Sequence, residues 1–174
     1  MASSSGRWVT AMTRRVRALL AVVDDEPHVF ASSVRENLRL ARPAAADADL
    51  RAALAAAGLS DWYAALPAGL DTLLGSGGRG VSGGERARLA LARAHVSGRP
   101  VLLLDEPVAH LDHATAVAVL ADLRRAFAGR TVVMVSHRPD GVADFDRVVD
   151  LAELSDPAAD PDPARRPTGL GGPD

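Results

Sequence analysis

Along the chain, stretches with apolar residues at helical spacing alternate with short stretches that are apolar at every position. Val16 to Val23 opens the pattern as a strand or a short helix, two readings that periodicity alone does not separate. Ser33, with Glu36 three residues later, has the spacing of a capping box. It predicts a helix through Val34, Leu38 and Leu40 that Pro43 stops. Asp47 to Ala57, with Leu50 and Leu54 one turn apart, predicts a second helix ended by Gly58. Ser60 or Asp61 starts a third, carrying Trp62 and Tyr63 and closed by Pro67 and Gly69. The first half is therefore mostly helical.

The second half reads differently. A helix over 84–96 precedes a strand at Val101–Leu104, and a helix over His113–Ala128 precedes a strand at Thr131–Val135. A third strand is expected at Arg147–Leu151. Strands separated by helices predict parallel pairing with right-handed crossovers, hence an α/β fold. Val101–Leu104 is apolar throughout, as expected of a strand covered on both faces. Residues 1–13 are Ser-rich and 155–174 are rich in Pro, Asp and Gly, so both ends are expected to be disordered. That leaves one domain over 14–154, with a helical subdomain at about 31–85.

Composition narrows the function classes. A content of 48% hydrophobic and 24% charged residues suits a globular domain. The formal charge of -2 shows no basic excess for a nucleic-acid partner. With no cysteine, disulfides, thiolate metal sites and cysteine nucleophiles are excluded. The early apolar run Ala18–Val23 is far short of the ~20 residues a membrane span needs, so the chain itself is not expected to cross a membrane. All 20 residues counted as Lys plus Arg are arginine, so the chain has no lysine.

Candidate chemistry gathers in the second half. Ser82-Gly83-Gly84-Glu85 repeats the capping-box spacing at a helix start, where free amides and the helix dipole favour a phosphate; a well-capped turn is the plainer reading. Asp105 and Glu106 follow the buried strand at its carboxyl end, where open α/β sheets place ligands. One acid there can hold Mg²⁺ and a second can orient water, or the pair simply caps the turn after Pro107. Asp112 reads as the N-cap of the next helix. His137 lies just beyond the strand at Thr131–Val135, on the same edge, as a phosphate contact or a solvated loop residue. His28, His95, His110 and His113 read as bystanders.

The combination says more than its members. SGGE opening a helix, an apolar strand ending DEP, then LD, then an apolar strand ending SH, in that order within Ser82–His137, resembles the nucleotide-binding domain of ABC transporters. The resemblance covers roughly residues 14–151 and implies a partial P-loop NTPase fold. Ser82–Glu85 is similar to the signature motif, Val101–Asp105 to Walker B, Glu106 to the catalytic glutamate, Ala109–Asp112 to the D-loop and His137 to the switch histidine. By the same resemblance ATP and Mg²⁺ are the expected cofactors, with Asp105 and Asp25 toward the metal. The expected partners are a second nucleotide-binding domain, the same or different, and the transmembrane domain of a transporter at the cytoplasmic face of the cell membrane. Val23–Leu38 and Leu66–Gly84 look most like exporter-type domains. Among these the chain resembles a subunit of the heterodimeric exporter of cysteine and glutathione associated with cytochrome bd assembly.

The chain departs from the family pattern in several places. Asp25 stands where the Q-loop glutamine is usual, Ser76 where exporters often carry a glutamate, and Val108 where Thr usually follows DEP. The glycine-rich loop G-x-x-x-x-G-K-[ST] is missing, because a chain without lysine cannot contain it. The expectation is a piece truncated at its N-terminus, with negligible ATPase activity alone and unpaired edges beside both apolar strands. Two other classes are a non-transport ABC ATPase, for which the usual coiled coils or zinc modules are not visible, and a non-enzymatic regulator of a transporter.

Overall fold

The computed structural model describes residues 16–75, 80–138 and 144–151. The chain divides into two compact units, Met1–Val142 and Ala143–Asp174. In the first unit three parallel strands, β1 (Leu20–Val23), β2 (Val101–Asp105) and β3 (Thr131–Val135), form a sheet in the order β1-β2-β3. Leu20 pairs with Val101, and Val101 with Thr131, so the three strands start level and their carboxyl ends share one rim. Helices α1 (Val34–Arg39), α2 (Asp47–Ala56) and α3 (Ser60–Ala64) precede β2, as does the long α4 (Gly83–Ser97). Helix α5 (His113–Ala126) connects β2 to β3.

The predicted elements are found close to their expected bounds, because caps and helical periodicity are local signals. Ser33 accepts from the Glu36 amide and starts α1. Helix α3 is shorter than predicted and takes Leu59 as its N-cap residue, without a side-chain bond. Asn37, fully buried on α1, donates to the carbonyls of Phe30 and Ser33 and accepts from the Phe30 amide, which ties the turn after β1 to the helix. Leu38, Leu50, Leu54, Leu89 and Leu91 pack together in the core that joins this helical part to α4.

Three expectations are corrected. Strand β2 is not buried on both faces. Leu102 and Leu104 are covered, together with Ala21 and Val23 of β1, whereas Val22, Val133 and Val135 on the opposite face are 59%, 49% and 52% exposed. The helices of this unit therefore cover one face of the sheet. Nor does β2 have an unpaired edge, since it lies between β1 and β3; the outer edges of β1 and β3 are the ones left without a strand partner among the described residues. Finally, Arg147–Leu151 form no strand. Alternation gives a segment a face, but a strand also needs a neighbour to take its backbone hydrogen bonds. The predicted ends 1–13 and 155–174, and Ser76, fall outside the described residues.

Candidate functional site

Ser82 is the N-cap of α4. Its hydroxyl accepts from the Glu85 amide at 3.2 Å, and Glu85 accepts from the Ser82 amide at 2.8 Å, so the capping box is complete. Both glycines sit against the chain that follows β2. A Cβ on Gly83 would lie 3.2 Å from Leu111 Cδ2, and one on Gly84 would lie 2.8 Å from Thr115 Cγ2, closer than side chains approach. Glycine at position 84 thus lets α4 lie against the first turn of α5. The helices are also pinned by charge: Arg88 Nε donates to the buried Asp122 carboxylate at 3.0 Å.

Asp105 ends β2, solvent-exposed, beside Val135 at the end of β3. At Glu106 the chain turns sharply. It is the non-glycine residue at positive φ among the described residues, at 45°, where its amide donates to the Val135 carbonyl at 3.0 Å and its carbonyl accepts from Ala109. That left-handed conformation is costly for a residue with a Cβ and clusters where a site demands it. It presents the carboxylate to the next strand's end, where His137 Nδ1 lies 2.6 Å from Glu106 Oε2. The two form an ion pair when the imidazole is protonated.

Asp112 caps α5 by accepting from Thr115 N at 3.0 Å. Hydrogen bonds from the Thr115 side chain and backbone hold its carboxyl below the usual range. The loop between Glu106 and Asp112 is anchored by Arg138, whose Nη1 donates to the carbonyls of Leu111 at 3.1 Å and Val108 at 3.4 Å. Asp25 lies in the turn after β1. Its contacts are with its neighbour's amide and with His110 Nε2 at 3.9 Å, which also lies 3.8 Å from Glu26. A small cavity of about 90 Å³ is bounded by Asp25, Gly83, Arg86, Pro107, His110 and Leu111.

The structure therefore brings together two neighbouring groups of the expected residues. Glu106 and His137 meet directly, next to Asp105. Gly83 meets the loop that runs from Glu106 to Asp112, with Asp25 across the small cavity. Sequence reasoning did not anticipate the approach of His110 to Asp25 and Glu26, the Arg88–Asp122 pair or the Arg138 anchor. Each depends on residues far apart in sequence, and only the opposite charges of the second offered a signal.

A family profile described as ABC transporter matches residues 3–109. The chain is 38% identical over 132 residues to the glutathione/L-cysteine transport system ATP-binding/permease protein CydC of Bacillus subtilis, covering 76% of this chain and 23% of that protein. It is 40% identical over 134 residues to the cyclolysin secretion/processing ATP-binding protein CyaB of Bordetella pertussis, covering 77% and 19%. Among solved structures it is similar to a bacterial Atm1-family ABC exporter with ATP bound, with a TM-score of 0.67 and 35% identity over 76% of this chain and 23% of that one. The chain thus spans less than a quarter of the length of these relatives. No helix among the described residues is long and apolar enough to cross a membrane. By sequence profile and by fold alike, the chain belongs to the ABC transporter family, as an ATPase-type domain of its exporter-associated clade.

Proposed function

We propose that the chain serves as an ATP-binding component of an exporter, coupling ATP hydrolysis to transmembrane transport together with a second nucleotide-binding domain and a transmembrane domain. The observation that carries the reading is the Glu106–His137 contact, built across the carboxyl ends of two parallel strands by a strained backbone turn. With a glycine loop beside it, Glu106 would orient and deprotonate the attacking water. His137, with Nδ1 against Glu106, would offer Nε2 to a γ-phosphate, as a donor when the ring is doubly protonated. Asp112 fixes the loop that adjoins the signature start.

The residues fit only part of an ATP site. Among the described residues no cluster of three or more His, Asp or Glu could hold a metal by itself. Mg²⁺ ordinarily takes one or two carboxylates and completes its shell with phosphate oxygens and water, which suits Asp105, with Asp25 as a second candidate. Bound Mg²⁺ supplies charge neutralisation at the phosphates. The glycine loop that would grip those phosphates is absent from a lysine-free chain. Glu106 and His137 need that loop beside them, whereas Ser82, Gly83, Gly84 and Glu85 do not. The capping box uses the Ser82 and Glu85 amides, which leaves those of Gly83 and Gly84 at the helix start to close over ATP held by another domain.

The reading is tested by ATP hydrolysis in mixtures of the chain with a complete exporter ATP-binding domain. The chain alone should show negligible turnover, and adding it should stimulate the complete domain. Gly83→Asp, which sets a carboxylate where a phosphate would approach, should abolish the stimulation, and Glu106→Gln should leave it intact. Stimulation that survives Gly83→Asp contradicts the proposal. The narrower assignment to glutathione and cysteine export rests on the CydC similarity, and export of labelled glutathione from vesicles is its test.

A further inference from the structure

Arg138 follows His137 in the chain but serves a different segment. Its backbone is set by Ser136, whose hydroxyl accepts from the Arg138 amide at 3.1 Å and donates to the Arg138 carbonyl at 3.3 Å. Its half-buried side chain reaches the loop after β2, where Nη1 donates to the carbonyls of Leu111 at 3.1 Å and Val108 at 3.4 Å. The Val108 carbonyl also accepts from the Leu111 amide at 3.2 Å, so the guanidinium braces a turn that carries one backbone bond of its own between these residues. A cation is well suited to the task, because charge-assisted hydrogen bonds are stronger than neutral ones.

The two glycines at the start of α4 rest on this braced segment. Gly83 lies against Leu111 Cδ2 and Gly84 against Thr115 Cγ2. Leu111 owns the carbonyl that Arg138 holds, and Asp112, the next residue, caps the turn of α5 that contains Thr115. The capping box fixes the shape of the helix start, but it does not fix where that start lies relative to α5. The Arg88–Asp122 pair pins the two helices more than a turn further along each, which leaves their starts to Leu111 and Thr115. An N–H···O bond spans a range of only about 0.5 Å, so a small displacement of the glycines forfeits a phosphate contact.

We propose that Arg138 is a positioning residue for the start of α4, acting through Leu111 to hold the Gly83 and Gly84 amides where they meet a phosphate bound by another domain. Arg138 itself touches no nucleotide. The phosphate rests on the function proposed above, whereas the placement of the glycines is a property of this chain alone.

The test has two arms. In the full chain alone, NMR follows the Gly83 and Gly84 amide resonances: Arg138→Gln should shift both, and Arg138→Lys, which keeps a cationic donor without the fork, should shift them less. In mixtures with a complete exporter ATP-binding domain, Arg138→Gln should lower the maximal stimulated turnover about tenfold and leave the KM for ATP unchanged, because the complete domain grips the nucleotide. Arg138→Lys should recover part of that loss. Leu111→Ala removes the strut between Arg138 and Gly83 and should reproduce the loss; combined with Arg138→Gln it should add nothing, as residues acting in series do. Should Arg138→Gln fail to fold, Arg138→Lys and Leu111→Ala test the same point. Glycine amides unmoved in the folded variants, or losses that multiply in the double variant, would overturn the proposal. A wild-type chain that stimulates nothing overturns the phosphate reading alone, and the glycine amides then decide the placement.

Discussion

The start of α4 and the rim at the ends of β2 and β3 are both candidate phosphate contacts, yet they are built in opposite ways. Ser82 to Glu85 is a local motif: Ser82 and Glu85 satisfy each other's amides, and Gly83 and Gly84 lie against Leu111 and Thr115. Glu106 and His137 belong to different strands and meet only because the sheet aligns the strand ends and Glu106 accepts a left-handed backbone. A local motif survives the loss of its surroundings and can serve another molecule's ligand. A motif assembled across strands depends on the sheet around it, and here one face of that sheet is uncovered.

The comparison can be broken first at the pair that supports the local motif. Asp122→Ala leaves Arg88 with its guanidinium mostly covered and without its carboxylate, and should cost about 3 kcal/mol in urea unfolding, in the range for breaking a buried ion pair. Loss of less than about 1 kcal/mol would mean that α4 is held by apolar packing alone. Ser82→Ala removes the cap acceptor and should cost about 1 kcal/mol, the usual value for a helix N-cap. Glu106→Gln should change stability by less than about 0.5 kcal/mol, since its partner His137 is 66% exposed and such pairs contribute little. The contrast between these last two separates a motif that builds the fold from one that the fold carries.

The smallest effect concerns pH. Burial and the nearby Arg130 hold the His95 imidazole below its ordinary value of 6.5, so the folded chain favours the neutral ring. The resulting stability is fully present above 6.5 and is lost as pH falls from there through the lowered folded value. Urea midpoints measured from pH 8 down to pH 5 should decline, and His95→Gln should flatten the decline. An unchanged slope in that variant would assign the acid sensitivity to other groups.

The parts legible from sequence were those whose signals are local. Caps at Ser33, Ser82 and Asp112 and the apolar runs at Val101 and Thr131 place α1, α4, α5, β2 and β3 within a few residues. The order of SGGE, DEP, LD and SH also anticipated that these loops border one another. What escaped depends on partners distant in sequence. The uncovered sheet face could not be read from Val101–Leu104, because an all-apolar strand looks the same whether one face or both are packed. Arg147–Leu151 has strand composition but no ladder to join. His110 beside Asp25 and Glu26, and Arg88 with Asp122, are pairings that only the folded chain creates.

The central claim is that this chain closes over ATP held by another domain and does not grip the nucleotide itself. The most direct measurement is equilibrium binding of labelled Mg–ATP to the purified chain, to a complete exporter ATP-binding domain and to their mixture. The account predicts no saturable binding by the chain alone up to millimolar nucleotide, and tighter retention in the mixture than in the complete domain, a gain that Gly83→Asp removes. Saturable micromolar binding by the isolated chain, or a mixture that binds no better than the complete domain, would contradict it.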